Sequence, residues 1–320
     1  MIYENSSTYF LSNPKTPLNQ EIDFGVYAAL AVVLFFSYYR IINNFTFSKT
    51  EVNVWCTITA VLAICISPTS TDLYDYIAQG RLQAHYGLNP YLSTRAAVAD
   101  WQNDALLSTP AWHIPSKYGP LWLTVSRLLS FCGGESLVAN VFVFKSFLGL
   151  LHIANMALVY QIGKSLNLGV PSFLVGVYAL NPLILVGLIG DGHNDMMVLT
   201  LLLLSVYAAA AKKFFWVLPC LGLSICAKHV PIILAPPLLI WLLKQHREKP
   251  FQLRLSVAVT IAEVVMLYGV YWEGFKIFGP LMSQQQSFSA ASLHYFLTHF
   301  FRLPDTIEFL LLGVFVISYV

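Results

Sequence analysis

Long apolar runs alternate with short polar connections along most of the chain, and several approach the roughly 20 residues needed to cross a bilayer. Candidate spans are Ile22 to Tyr39, Val52 to Ser67, Leu137 to Ile162, Val170 to Ile189, Met196 to Ala211, Phe214 to Ala227, Val230 to Leu243, Leu255 to Trp272 and Ile307 to Val320. Several are short. The two that flank Lys228-His229 carry Pro231, Pro236 and Pro237, all in the second, which predicts tilted or broken helices whose free backbone ends line a cavity. The first apolar run starts near Ile22 after a polar stretch, so it reads as a retained anchor and not as a cleavable signal peptide. The sequence stops inside its last apolar run, which is the pattern expected of a chain cut before its native C-terminus.

The polar segment between the second and third spans, residues 68–135, has a pattern of its own. Asp72 to Tyr86 is predicted to be a helix, with Ser70 or Thr71 as N-cap and with Gly87 and Asn89-Pro90 ending it. Asp72, Tyr76, Gln79 and Gln83 then share one face. Lys117-Tyr118-Gly119-Pro120-Leu121-Trp122 opens an apolar helix to Phe131 that is too short to span and suits the membrane interface. The expected fold is therefore all-α: a polytopic transmembrane helical bundle, one domain over residues 1–320, with a large external loop at 68–135 carrying short interfacial helices.

Composition sharpens this. With 57% hydrophobic and 11% charged residues and a mean hydropathy of +0.65, the chain departs from soluble domains, where about 25% of residues are charged. A net charge of +2 is too small to suggest nucleic-acid binding. The five cysteines are odd in number and lack metal spacing, which favours packing roles over a disulfide framework. Basic residues mark every second connection: Arg40 and Lys49, then Lys164, then Lys212 and Lys213, then Lys244, Arg247, Lys249 and Arg254. Placing these inside puts residues 68–135, the turn Gly190 to Asp195, Lys228-His229 and Trp272 to Asp305 on the external face.

Acids at the rim of a bilayer are costly and point to function. Asp72 and Asp75 are such a pair, although an acid at a helix N-terminus is also favoured by the macrodipole. In Gly190-Asp191-Gly192-His193-Asn194-Asp195 two glycines permit a tight turn, and Asn194 or Asp195 is either a ligand contact or a cap for the next helix. Lys228 is either a cation for an anionic substrate or a lysine snorkelling to headgroups.

The strings Asp72-Leu73-Tyr74-Asp75-Tyr76, Ala78-Gln79-Gly80-Arg81, Asn89-Pro90-Tyr91, Tyr118-Gly119-Pro120-Leu121, Asn181-Pro182-Leu183 and Gly192-His193-Asn194-Asp195 occur in that order. Together they resemble the bacterial polyprenol-phosphate-mannose-dependent mannosyltransferases of the GT-C superfamily, over about Ser67 to Tyr295. Relatives commonly carry further C-terminal spans. The resemblance implies a polyprenyl-phosphate-linked sugar donor, usually mannose, a glycan or lipid acceptor among membrane lipids, and inversion at the anomeric carbon. It implies Asp72 as general base, with Asp75 as the alternative base or an orienting group. Lys228, Arg81 and His229 then serve the donor phosphate, the other reading of Arg81 being a pair with a loop acid, and His193, Asn194, Asp195, Tyr76 and Tyr118 serve the sugar. Asp191, His193 and Asp195 with Asp72 form a metal set on paper, but a lipid-phosphate donor does not require a divalent ion, and no metal or cofactor is expected. A membrane transporter or a non-catalytic polyprenyl-phosphate-binding subunit is the alternative.

Overall fold

The computed structural model describes residues 17–44, 48–66, 68, 70–109, 114–245 and 250–283. The expected span Ile307 to Val320, the polar N-terminus, Arg247, Lys249 and the stretch after Ser283 lie outside them. Among the described residues there are helices and no sheet. In chain order they are α1 (Pro17–Asn44), α2 (Lys49–Cys65), α3 (Asp72–Ala84), α4 (Pro120–Gly133), α5 (Leu137–Ser165), α6 (Pro171–Ala179), a π-helical segment (Leu183–Gly190), α7 (Asp195–Ala210), α8 (Val217–Ala227), α9 (Ala235–Gln245) and α10 (Pro250–Gly269).

Two of these, α5 and α10, are long and apolar enough to cross a membrane. A third candidate is α6 with the π-helical segment, which meet at a bend of 54°. The expected unbroken span over Val170 to Ile189 is therefore corrected. Pro182 has no N–H to continue α6, and the Asn181 side-chain oxygen takes over by accepting from the Leu183 amide at 2.9 Å. The next turn is wide, and it closes with the Asp191 amide donating to the Val186 carbonyl at 2.8 Å. The proline-rich run after Lys228 is broken as expected, into a 3-10 turn (Val230–Leu234) and α9. Shorter apolar helical stretches of 10–17 residues are Ala29–Asn44 within α1, Asn53–Cys65, Asp195–Ala210, Phe214–Ala227 and Val230–Gln245. Side chains such as Val32 on α1 and Met266 on α10 lie exposed, as lipid-facing positions do.

The segment expected as an external loop is a helical hairpin joined to the main core. Pro120 starts α4 at a position where its missing N–H costs nothing. α3 and α4 approach closely at Gly80: a Cβ there would overlap the Ser126 carbonyl and the Ser130 side chain. The Ser130 hydroxyl donates to the Ile77 carbonyl at 3.2 Å, and Gln83 Nε2 donates to the Leu123 carbonyl at 3.1 Å. Trp122 on α4 is fully buried where an interfacial helix was expected, and it shares one core with Leu73, Tyr76, Phe144, Leu148 and Met196. The far end of α10 closes the hairpin from another side. Asn89 Nδ2 donates to the Tyr271 carbonyl at 2.9 Å, and the Tyr271 hydroxyl donates to Gln83 Oε1 at 2.8 Å.

Gly80→Ala is expected to destabilise the protein by about 1–3 kcal/mol, the usual range for overpacking. A lowered thermal midpoint in detergent, measured by intrinsic fluorescence, checks it.

Candidate functional site

The first turn of α3 delivers Asp72. Its amide donates to the Ser70 hydroxyl at 3.2 Å, and the Tyr74 and Asp75 amides close on the Thr71 carbonyl at 3.0 and 3.1 Å. Thr71 occupies the N-cap without a side-chain capping bond. Opposite this turn runs the chain from Gly190 to Asp195. Gly192 has φ +77°, and a Cβ there would lie 3.0 Å from the Leu73 side chain. Glycine is thus required twice, for the backbone angle and for the approach to α3. The approach brings His193 Nδ1 to 3.2 Å from Asp72 Oδ2.

The following residues do not serve as simple helix caps. Asn194 stands at the N-cap of α7 without a capping bond. Its side-chain oxygen instead accepts from the Tyr76 hydroxyl at 3.2 Å, and it is fully buried. Asp195 turns to Lys228, whose Nζ donates to both carboxylate oxygens at 2.8 Å. Lys228 reaches this place because α8 ends in extended backbone at Lys228 itself. There the Gly119 amide donates to the Ala227 carbonyl at 3.2 Å, and a Cβ on Gly119 would strike the Cys226 carbonyl. The Tyr118-Gly119-Pro120 string is therefore a backbone joint between α4 and the end of α8.

Electrostatics tie these groups into one site. Burial pushes the Asp72 carboxyl up, but the hydrogen bond from His193 and the charges of His193, Lys117 and Lys228 together hold it below the usual carboxylate value. The hydrogen bond to Asp72 raises His193 above an ordinary imidazole against burial, helped by the charges of Asp72, Asp195 and Asp191. Burial, then the charges of Asp72, Asp75 and Asp195, push the Tyr118 phenol well up. Asp72 and His193 thus favour the ionised pair near neutrality. Two buried polar atoms beside them, the Tyr118 hydroxyl and Asn194 Nδ2, have no hydrogen-bond partner among the described residues. Such groups are costly unless a ligand satisfies them. Among the described residues, no three His, Cys, Asp or Glu side chains converge as a metal-binding group.

Of the residues singled out in the sequence, Asp72, Tyr76, Tyr118, His193, Asn194, Asp195 and Lys228 come together. Arg81 and His229 do not, and Asp75 reaches the group through its charge on Tyr118. Asp75 is buried and borders a small cleft with Gln79 of the same helix and Arg95. Arg81 lies nine residues along α3, roughly 13 Å from Asp72 by helix rise. There its Nε sits 2.8 Å from Asp104 Oδ2, at a cleft of about 430 Å³ that Tyr86 and Glu135 also line. The His229 ring faces α10, with Nε2 at 2.7 Å from the Tyr268 hydroxyl. Lys117 is the residue that sequence reasoning passed over. It is half-buried, and its charge acts on Asp72. Its place next to the Tyr118-Gly119-Pro120 joint was the available signal.

The profile described as "Alpha-(1->6)-mannopyranosyltransferase, N-terminal domain" matches residues 10–245. Alpha-(1->6)-mannopyranosyltransferase A of Mycobacterium tuberculosis is 29% identical over 212 residues, which cover 64% of this chain and 38% of that protein. Alpha-(1->6)-mannopyranosyltransferase B of Corynebacterium glutamicum is 32% identical over 139 residues, covering 42% and 22% respectively. The A protein of the same organism is 24% identical over 190 residues, covering 55% and 35%. The matched part of the chain thus spans between about a fifth and two fifths of these relatives. No solved structure matches it.

The Asp72–His193 pair carries a pH signature. A lowered Asp72 adds stability above the unfolded carboxylate value, near 4, which is lost as pH falls through the folded value. A raised His193 adds stability below the unfolded imidazole value, near 6.5, which is lost as pH rises through the folded value. The gap in thermal midpoint between wild type and His193→Gln is expected to be widest near about pH 5.5 and to narrow by about pH 9. A midpoint series across pH measures it, and a gap that widens with rising pH would contradict the pairing.

Proposed function

We propose that this chain, which belongs to the alpha-(1->6)-mannopyranosyltransferase family, is an inverting glycosyltransferase that moves mannose from a polyprenyl-phosphate donor to a glycan or lipid acceptor. The names of its relatives support mannose transfer. Candidate membrane-spanning helices support a lipid-linked donor. The proposed setting is a GT-C-type bundle whose site faces away from the cytoplasm, in keeping with the basic connections on the other side.

The observation that carries the proposal is one ionised, largely enclosed carboxylate placed near an ammonium group. Asp72 has one oxygen on His193, and Oδ1 makes no hydrogen bond among the described residues. In the proposed step, the acceptor hydroxyl oxygen forms a bond to the anomeric carbon while its proton passes to Asp72. The bond from the anomeric carbon to the phosphate oxygen breaks, and the electron pair leaves with polyprenyl phosphate, which gains one negative charge. Lys228 stabilises that charge as the phosphate competes with Asp195 for its ammonium. Tyr118 and Asn194 supply the unpartnered polar groups for sugar hydroxyls, His193 and Asp195 complete the sugar contacts, and Tyr76 acts from behind by holding Asn194. Asp75 supports the α3 turn, and Arg81 and His229 act outside the phosphate site.

Asp72→Asn is expected to lower mannosyl transfer by about 100-fold or more, the scale of general-base catalysis, with the thermal midpoint kept close to wild type. Radiolabel transfer from polyprenyl phosphomannose reads it, and full activity in the variant would sink the assignment. Lipid binding without transfer by wild type would favour the polyprenyl-phosphate-binding subunit instead. A second expectation concerns pH. In His193→Ala burial is no longer opposed by the imidazole, so the Asp72 carboxyl rises and the acid limb of kcat/KM moves to higher pH. An unmoved acid limb would separate His193 from Asp72.

A further inference from the structure

The longest described helix, α5, carries a lysine that the site chemistry leaves unused. Lys145 is fully buried within a candidate membrane span, where a cation is costly unless it is held by partners. Its Nζ donates to the carbonyl of Ile66, the residue that ends α2. Ile66 precedes Asp72 by six residues in the sequence. The Ile66 side chain also packs over Gly190, where a Cβ would sit 3.9 Å from it. Next to Gly190 is Asp191, buried and close enough for its charge to act on Lys145. From Asp191 the chain reaches His193 in two residues.

We infer that Lys145 is a positioning residue, a buried cation between the two segments that carry Asp72 and His193, fixing their 3.2 Å approach from beneath. The geometry accounts for the lysine where a neutral residue would pack at lower cost. One charge meets the carbonyl of the residue just past the end of α2 and the charge of a carboxylate on the neighbouring turn. Two separate chain segments are thereby referred to one point on a rigid helix. For catalysis this rests on the transferase proposal, because the residue would act only through Asp72 and His193.

The test is amide hydrogen exchange by mass spectrometry on the full chain in detergent, for wild type, Lys145→Met, Lys145→Arg and Asp191→Asn. Lys145→Met is expected to speed exchange by about tenfold in peptides covering 70–78 and 190–197, with α5, α8 and α10 near wild type, as local opening requires. Lys145→Arg is expected to restore most of the protection, and Asp191→Asn to loosen 190–197 more than 70–78. Uniform acceleration through the bundle, or no local change in either Lys145→Met or Asp191→Asn, would overturn the inference. A parallel transfer assay is expected to show Lys145→Met lowering kcat with donor KM within about twofold of wild type, the signature of lost transition-state geometry. The two readouts fail separately. Local acceleration with no transfer by wild type upholds Lys145 and removes the transferase proposal, whereas an active wild type with unchanged exchange removes only Lys145.

Discussion

The contact on which the rest depends is made by Tyr76. Its ring is fully buried edge-on against Tyr118 and Trp122, with centroids at 4.8 and 4.9 Å, and its hydroxyl donates to Asn194. One side chain thereby joins α3, α4 and the turn after the π-helical segment. Asp72 lies one helical turn before Tyr76 and His193 one residue before Asn194, so the buried ring sets their separation. An aromatic anchor with a polar tip suits this task, because its apolar body resists sliding and its hydroxyl fixes register. Losing the ring would open a cavity and free the Asn194 amide at the same time, and both effects fall on the site.

Around that anchor the chain places costly features together. A wide helical turn, a glycine at positive φ, a carboxylate pushed in two directions by burial and by cations, and two unpartnered buried polar atoms occupy one region. The glycine makes the turn possible, and the other three are individually unfavourable and persist because packing elsewhere fixes them. The packing comes from the hairpin of α3 and α4, seated in the same core as α5 and α7. The 68–135 segment is thus part of the body that supports the site and not an appended loop.

Much of this was legible in the sequence, for reasons that differ by element. The α3 helix and its polar face followed from side-chain spacing, and Asp72, His193 and Lys228 followed from motifs whose residues are close in space although far apart in the chain. Span lengths were less legible. Hydropathy averages over a window and does not register where Pro182 breaks hydrogen bonding, so Val170 to Ile189 read as one rod. Averaging also hid Lys145, the one charge in the body of a 29-residue apolar helix whose other lysine, Lys164, lies in the last turn. Arg81 and His229 were placed by their charge and their neighbours in sequence. Their actual partners, Asp104 and Tyr268, lie 23 and 39 residues away, and spacing alone does not reveal a partner at that distance. Lys117 was masked by its motif, whose visible features were the aromatic and the glycine.

The central claim is that a lipid phosphate and a sugar meet between Lys228 and Asp72. The most direct measurement is an electron cryo-microscopy map of the full chain bound to a non-transferable phosphonate analogue of polyprenyl phosphomannose. The account predicts the phosphonate within hydrogen-bond reach of Lys228 Nζ, the Lys228–Asp195 pair opened, and the sugar beside Tyr118 and Asn194 with its anomeric carbon facing Asp72. Density for the headgroup in the Arg81–Asp104 cleft, with Lys228 still paired to Asp195, would contradict it.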